Sequence, residues 1–236
     1  MRGTLLNTGT VAFGATLGLV VGKYIPSTYE SVALEGLGLV VSLIGVRMFF
    51  QTKNAVIVVA AIAIGGILGM ALGITPFLAA IAEAIRSKVG GGGKFDEALI
   101  TTSVLYCVGP MTILGCLQDA LEDNYELLAT KSVLDGISSV FFAATLGEGV
   151  LVTALVVLVV QGGITSLAKP LQRFLKNEAP IHEATAAGGA MMLGIGLNLL
   201  GLKTVHVEVY LPALILAPLF LVVQVRIQSG RRPTLS

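Results

Sequence analysis

The side chains best suited to bind a small molecule cluster in one apolar stretch, Thr101 to Asp119 (TTSVLYCVGPMTILGCLQD). Gly109-Pro110 lies at its middle, and Pro110 has no N–H to donate to the carbonyl of Tyr106. A carbonyl left unpaired in lipid is costly, so this break must face protein, water or a ligand. The candidate site residues in this stretch are Thr102, Tyr106, Cys107, Gly109, Pro110, Gln118 and Asp119.

Two interpretations of the break stay open. Paired half-helices with freed backbone groups form the midplane site of many transporters. A proline kink whose freed groups bond to a neighbouring helix would have no such function.

Three further polar residues in apolar surroundings join the candidate list: Asp135, Glu148 and Asn198. Asp119 and Asp135 flank an acidic loop and could attract cations or bind a coupling ion. Asp135 also lies in an early helical turn, where its charge would suit the helix dipole. Asn198 lies in a glycine-rich helix, where an interhelical hydrogen bond is the alternative to a ligand contact.

Catalytic signatures are poor. His182-Glu183 begins like a zinc-protease helix, but Ala186 stands where the second histidine is needed. No nucleotide motif is present, and two cysteines make no metal set. We therefore expect no enzyme activity, no metal and no cofactor.

The composition predicts a membrane protein. The chain has 236 residues, of which 55% are hydrophobic and 12% are charged, and its mean hydropathy is +0.89. A soluble domain has about twice that charged fraction. The formal charge of +1 does not suggest a nucleic-acid partner. The expected partners are the lipid bilayer and a small-molecule or ion substrate.

The hydropathy pattern predicts an all-α, polytopic transmembrane bundle of about seven spans. Glycines recur every four residues in the first helix (Gly14, Gly18, Gly22) and allow close helix packing, within one chain or in a homo-oligomer. Residues 77–89 read as an amphipathic helix at the membrane interface. Residues 97–119 form the central connector helix with the break.

The segment Ser132 to Leu167 is apolar for about twice the length of one span and contains Gly147-Glu148-Gly149. It is either one long helix with Glu148 inside the membrane or a hairpin with Glu148 at the turn. Positive charge marks the cytoplasmic side. The loop from Lys169 to Lys176 and the C-terminal tail are basic, while Glu122 to Glu126 is acidic. Charge therefore favours the single helix, seven spans and an exterior acidic loop.

Two short echoes suggest an internal repeat within one transmembrane domain, with copies at 1–76 and 131–226. Thr10 to Gly18 matches Ser139 to Gly147 at six of nine positions, and Ile44 to Met48 echoes Ile195 to Leu199. Repeats are a common transporter architecture, with the site at their interface.

Several motifs together resemble a known family. They are CVGPMTILG (107–115), Gln118-Asp119, KSVLDG (131–136), GIGLNLL (194–200) and Leu211-Pro-Ala. These runs are similar to the YdfK/YqgA-type bacterial inner-membrane family, a domain of unknown function loosely called a probable transport protein. The resemblance covers nearly the whole chain and implies a multi-pass protein of the bacterial cytoplasmic (inner) membrane, without naming a substrate. We therefore expect a transporter or channel, with a non-transporting scaffold or assembly protein as the alternative.

Overall fold

A computed structural model describes residues 1–24, 26–89, 94–169 and 178–230. In this part of the chain all regular structure is helical, which confirms the predicted all-α class. The elements are α1 (Arg2–Gly22), α2 (Ser27–Phe49), α3 (Ala55–Ala71), α4 (Ile74–Val89), α5 (Phe95–Cys107), α6 (Pro110–Leu121), α7 (Glu126–Leu146), α8 (Gly149–Ser166), α9 (Ala179–Leu199), a 3-10 turn (Val207–Tyr210) and α10 (Ala213–Gly230).

The most extensive helix pair is α1 with α7, which lie parallel. Glycines allow their backbones to touch: a Cβ at Gly14 would lie 2.1 Å from the carbonyl oxygen of Gly136, and one at Gly18 would lie 2.3 Å from that of Val140. Close backbone approach drives helix association where burial from water cannot. The glycine stripe of α1 therefore packs within the chain, against α7.

A second group of helices is built around α2 and α9, which lie antiparallel. Gly45 of α2 meets Gly189 of α9, while Gly38 meets Gly196. Helices α3 and α10 pack beside them, with Gly65 against Ala213. The first group of helices consists of α1 and α5 to α8, and the second of α2, α3, α9 and α10. The two groups meet across an apolar core that includes Phe142 and Met191.

The bundle has two ends, which we call the terminal face and the turn face. The terminal face holds Met1, Asp119 and Gln224, and the turn face holds the Gly147–Glu148 turn between α7 and α8. In the described part the chain runs between the two faces eight times, through α1, α2, α3, the α5–α6 pair, α7, α8, α9 and α10. Both α1 and α10 consequently have their outer ends at the terminal face.

The helices support a multi-pass membrane protein. Five described helices are long and apolar enough to cross a bilayer, and two bent pairs bring the number to seven. The bent pairs are α3 with the start of α4, at 59°, and α5 with α6, at 57°. Helix α9 is less apolar, but it is largely buried and lies along α2 for most of its length.

The preference for one long helix between Ser132 and Leu167 is wrong. The segment is a hairpin of α7 and α8, because Gly147, at φ 90°, ends α7 and reverses the chain. The two helices have 21 and 18 residues, about 31 and 27 Å at 1.5 Å per residue, so each is long enough to cross a bilayer alone. Glu148 lies at the turn, half-buried, and is not a mid-membrane carboxylate.

The hairpin also overturns the predicted topology. The acidic loop from Glu122 to Glu126 joins α6 to α7 at the terminal face, where α8 ends and α10 also ends. The acidic loop therefore lies at the face where α8 and α10 end, and these are the helices that the basic segments follow in the sequence. Of the basic residues used in that argument, Arg173, Lys176, Arg231 and Arg232 lie outside the described residues.

The internal repeat is not confirmed. Its first sequence echo makes α1 correspond to α7, and these helices run parallel. Its second echo makes α2 correspond to α9, and these helices run antiparallel. One symmetry operation cannot relate both pairs, so the two sequence echoes do not describe a single repeat.

Candidate functional site

The predicted break lies between α5 and α6. Gly109 adopts φ 144° and ψ 160°, a backbone conformation that glycine alone adopts readily. The carbonyl of Tyr106 accepts a hydrogen bond from the Thr112 hydroxyl at 3.1 Å. The group freed by Pro110 is therefore satisfied inside the protein, one turn further along the chain.

The hydroxyl of Tyr106 reaches α7. It accepts a hydrogen bond from Ser139 Oγ at 2.9 Å, and Lys131 Nζ lies 5.7 Å from the centre of the Tyr106 ring. Tyr106 and Ser139 are both fully buried. The end of the first half-helix is thereby tied to a polar stripe on α7.

That stripe consists of Lys131, Asp135 and Ser139, at intervals of four residues. Lys131 Nζ and Asp135 Oδ2 form an ion pair, and Asn7 Nδ2 of α1 donates to the same oxygen at 3.0 Å. Lys131 is 7% exposed and Asp135 6%. The pair is thus a buried, intrahelical ion pair that one amide from α1 completes.

Asp119 is the second buried carboxylate, 4% exposed, near the terminal face. Its Oδ2 accepts the backbone N–H of Gly3 at 3.1 Å and contacts the amino group of Met1 at 2.8 Å. Asp119 and Asp135 do not pair with each other. Both bind α1, at positions one helical turn apart.

Hydroxyl pairs extend the polar interior in both directions. Thr4 meets Thr165 at 3.2 Å on the side of the terminal face, and Thr102 meets Thr153 at 2.6 Å on the side of the turn face. We call the whole set the polar column, which comprises Thr4, Asn7, Thr102, Tyr106, Asp119, Lys131, Asp135, Ser139, Thr153, Gln161 and Thr165.

Some buried polar atoms have no hydrogen-bond partner among the described residues. They are Asn7 Oδ1, Ser103 Oγ, Asp119 Oδ1, and both side-chain polar atoms of Gln161. Buried polar atoms are normally paired, so each such atom calls for an explanation. These belong to helices α1, α5, α6 and α8, which surround the column.

The structure brings together Thr102, Tyr106, Asp119 and Asp135 from the predicted list, with Cys107 and the break at Gly109-Pro110 beside them. Cys107 and Cys116 are free thiols. Gln118 lies in the last turn of α6, where its carbonyl accepts the N–H of Glu122 at 2.9 Å.

Two predicted residues lie elsewhere. Glu148 is at the turn face. Asn198 bonds to the backbone of Val205 in both directions, at 2.6 and 2.9 Å, and so holds the segment that follows α9. Val205 follows the same helix, so this is not the interhelical hydrogen bond that was the alternative for Asn198.

Sequence reasoning missed Asn7, Lys131, Ser139 and Gln161 as site residues. The spacing of Lys131, Asp135 and Ser139 did carry a signal, since residues four apart share a helix face. A lysine more than one turn inside an apolar helix also marks a functional candidate. Asn7 and Gln161 are each the one side-chain amide of their helix, and two amides so far apart in the sequence gave no pattern.

Other buried acids lie among α2, α3, α9 and α10. Glu183 accepts a hydrogen bond from Thr52 at 2.6 Å, and Glu208 accepts one from Thr75 at 3.1 Å. His182 contacts Gln51 at 3.2 Å. Among the described residues, no group of three or more His, Cys, Asp or Glu side chains is placed to hold a metal ion.

Three cavities in the described part of the chain lie away from the polar column. One of about 530 Å³ lies between α3 and α9, and one of about 580 Å³ lies beside the elbow of α3 and α4. A third, of about 430 Å³, lies between α1 and α7 at Glu148. The column itself is a packed polar interior.

Comparison with known proteins gives the family. A family model described as "Protein of unknown function (DUF554)" matches residues 2–222. The chain is 30% identical over 228 residues to the uncharacterized membrane protein YdfK of Bacillus subtilis (strain 168), covering 94% of this chain and 96% of that protein. It is 26% identical over 221 residues to the uncharacterized protein YqgA of Escherichia coli (strain K12), covering 91% and 94%. No solved structure matches the chain. The full-length family match and the agreement with YdfK place this chain in the DUF554 family of membrane proteins.

Proposed function

We propose that this protein is a membrane transporter or channel for a small solute or ion, and that the polar column is its path. The observation that supports this most is the ion pair of Lys131 and Asp135 beside a broken helix. Ionisable side chains inside a membrane protein are expensive and mark functional sites by default. A buried ion pair adds little stability over apolar residues of the same volume, so packing alone does not require it.

The distribution of polar residues supports access from one side. The column begins with Asp119 at the terminal face and reaches the Thr102–Thr153 pair. Towards the turn face it gives way to an apolar core that includes Ala98, Leu146 and Val150. A polar interior with one closed end is the arrangement expected of a gated path.

The same proposal sets location and orientation. The protein lies in the bacterial cytoplasmic (inner) membrane, in contact with lipid, and acts without enzyme chemistry. Arg2, Arg47, Lys53, Lys169 and Arg226 lie at the terminal face, and in the sequence Arg173, Lys176, Arg231 and Arg232 follow the two helices that end there. Positive charge marks the cytoplasmic side, so the column opens to the cytoplasm.

A flux measurement tests the proposal. Proteoliposomes on a solid-supported membrane receive concentration jumps of Na⁺, K⁺, NH₄⁺, protons, amino acids and carboxylates in turn. We expect a protein-dependent current with at least one solute. The double variant Lys131→Met/Asp135→Asn removes both charges together and keeps an acceptor for Asn7, so it should fold and lose at least tenfold in current.

The matched control is Glu35→Gln, which neutralises an exposed acid on α2 and should leave the current unchanged. Full current in the double variant would place the path elsewhere. One observation favours the scaffold alternative, namely that Thr112 already satisfies the carbonyl freed at the break. Folded protein that gives no current with any solute would establish that alternative.

A further inference from the structure

Gln161 is the most anomalous side chain of the polar column. It is fully buried in α8, and neither its Oε1 nor its Nε2 has a hydrogen-bond partner among the described residues. Burial of an amide without hydrogen bonds is unfavourable. A residue retained in this state needs a partner that the protein itself does not supply.

The direction of Gln161 follows from its neighbour one turn away. Thr165 occupies the same face of α8, and its hydroxyl meets Thr4 of α1. Helices α1 and α8 are antiparallel, so one turn further inward places Gln161 at the level of Asn7. The two buried amides therefore lie at the same level of the contact between α1 and α8.

The orientation of the Asn7 amide is fixed. Its Nδ2 donates to Asp135. The Asp135 carboxylate, which is paired with Lys131, can only accept hydrogen bonds, so the Asn7 side-chain oxygen cannot bond to it. The Oδ1 atom is consequently the one that has no partner. This part of the contact between α1 and α8 thus holds Asn7 Oδ1, the amide of Gln161 and the hydroxyls of Thr4 and Thr165.

Oxygen ligands of this kind suit a hard cation. Carboxylates lie on both sides along the column, Asp119 outward and Asp135 inward. The lining oxygens are neutral, and Lys131 offsets Asp135, so the local charge does not suit a divalent ion. No acidic metal set exists in the described part of the chain either.

We propose that the neutral side-chain oxygens of Asn7, Gln161, Thr4 and Thr165 bind a small monovalent cation between α1 and α8. This rests on the proposed function, for which it names the conducted or coupled ion. The ion reaches this position from the terminal face, past Asp119 and the Thr4–Thr165 pair.

Equilibrium binding to the purified full chain tests this without any flux. ²²Na⁺ and ⁸⁶Rb⁺ binding is measured in nanodiscs, with choline chloride holding the ionic strength constant. We expect saturable binding of at least one ion and a rise in unfolding temperature with that ion, because a ligand of the folded state stabilises it. Absence of saturable binding of both ions to the wild type would overturn the proposal.

Gln161→Leu gives the sharper test. An apolar residue of similar size removes the unpaired amide, so the variant should be at least as stable as wild type without the ion and should bind it at least tenfold more weakly. Gln224→Leu, which removes an amide paired with Asn54, is the matched control and should keep wild-type affinity. Unchanged affinity in Gln161→Leu would contradict the assignment. Binding without current refutes only the transport proposal, and current without binding refutes only this one.

Discussion

Replacing Gly18 by alanine should separate α1 from α7. A Cβ at Gly18 would lie 2.3 Å from the carbonyl oxygen of Val140 and 2.9 Å from the Cβ of Ala143, whereas ordinary contacts begin at 3.4 Å. The Val140 oxygen is part of the α7 backbone and the Ala143 Cβ is attached to it, so neither atom can move aside alone. The two helices must therefore move apart by about 1 Å. Overpacking of this kind costs about 1–3 kcal/mol.

The same helix offers a control of opposite sign. A Cβ at Gly9 would have no atom within 4 Å, so Gly9→Ala should be neutral or stabilise by up to about 1 kcal/mol through helix propensity. Thermal unfolding in one detergent compares the two variants. For a chain of this size 1 kcal/mol corresponds to a shift of about 2–4 °C.

The double variant Gly14→Ala/Gly18→Ala adds a test of mechanism. A Cβ at Gly14 would lie 2.1 Å from the Gly136 carbonyl oxygen, and both substitutions push α1 away from the same helix. The loss of stability in the double variant should therefore be smaller than the sum of the losses in the two single variants. Equal unfolding temperatures for Gly18→Ala and Gly9→Ala would refute the packing argument.

Two further outcomes follow from the break and from the hairpin. Thr112→Val should destabilise the protein by about 1–3 kcal/mol, because it leaves the Tyr106 carbonyl buried without a donor; Thr16→Val, at an exposed hydroxyl on α1, should cost far less in the same unfolding assay. In a background without Cys107 and Cys116, single cysteines at positions 124 and 169 should react with an impermeant reagent from the same side, the cytoplasm. Labelling of the two positions from opposite sides would contradict the hairpin.

The break and the glycine contacts could be predicted from sequence because each depends on local covalent properties. Pro110 lacks an N–H wherever it stands, and Gly14, Gly18 and Gly22 lack a Cβ at one helical spacing. The partners of these groups could not be predicted. Nothing local states that Thr112 would satisfy Tyr106, or that α1 would pack on α7.

The hairpin shows why charge patterns misled the topology. Basic and acidic loops were assigned to opposite sides, yet acidic residues contribute little to orientation. The length of the segment was the better guide, since 36 residues exceed one membrane crossing by far. The site residues Asn7 and Gln161 were missed because their significance arises only from the contact between α1 and α8, which is a tertiary property.

The pairing of α1 with α7 also has a consequence for biosynthesis. Asn7 is separated from its partner Asp135 by 128 residues, and ribosomes add about 5–20 residues per second, so α1 waits on the order of 6–25 s for that partner. During this interval its amide and its bare glycine stripe face lipid or an insertion factor. Five of the eight crossings, α7 included, must be delivered before the first helix finds its place, so the membrane domain closes late. Chains interrupted before α7 would leave α1 without its main partner and would be recognised as unfinished by membrane quality control.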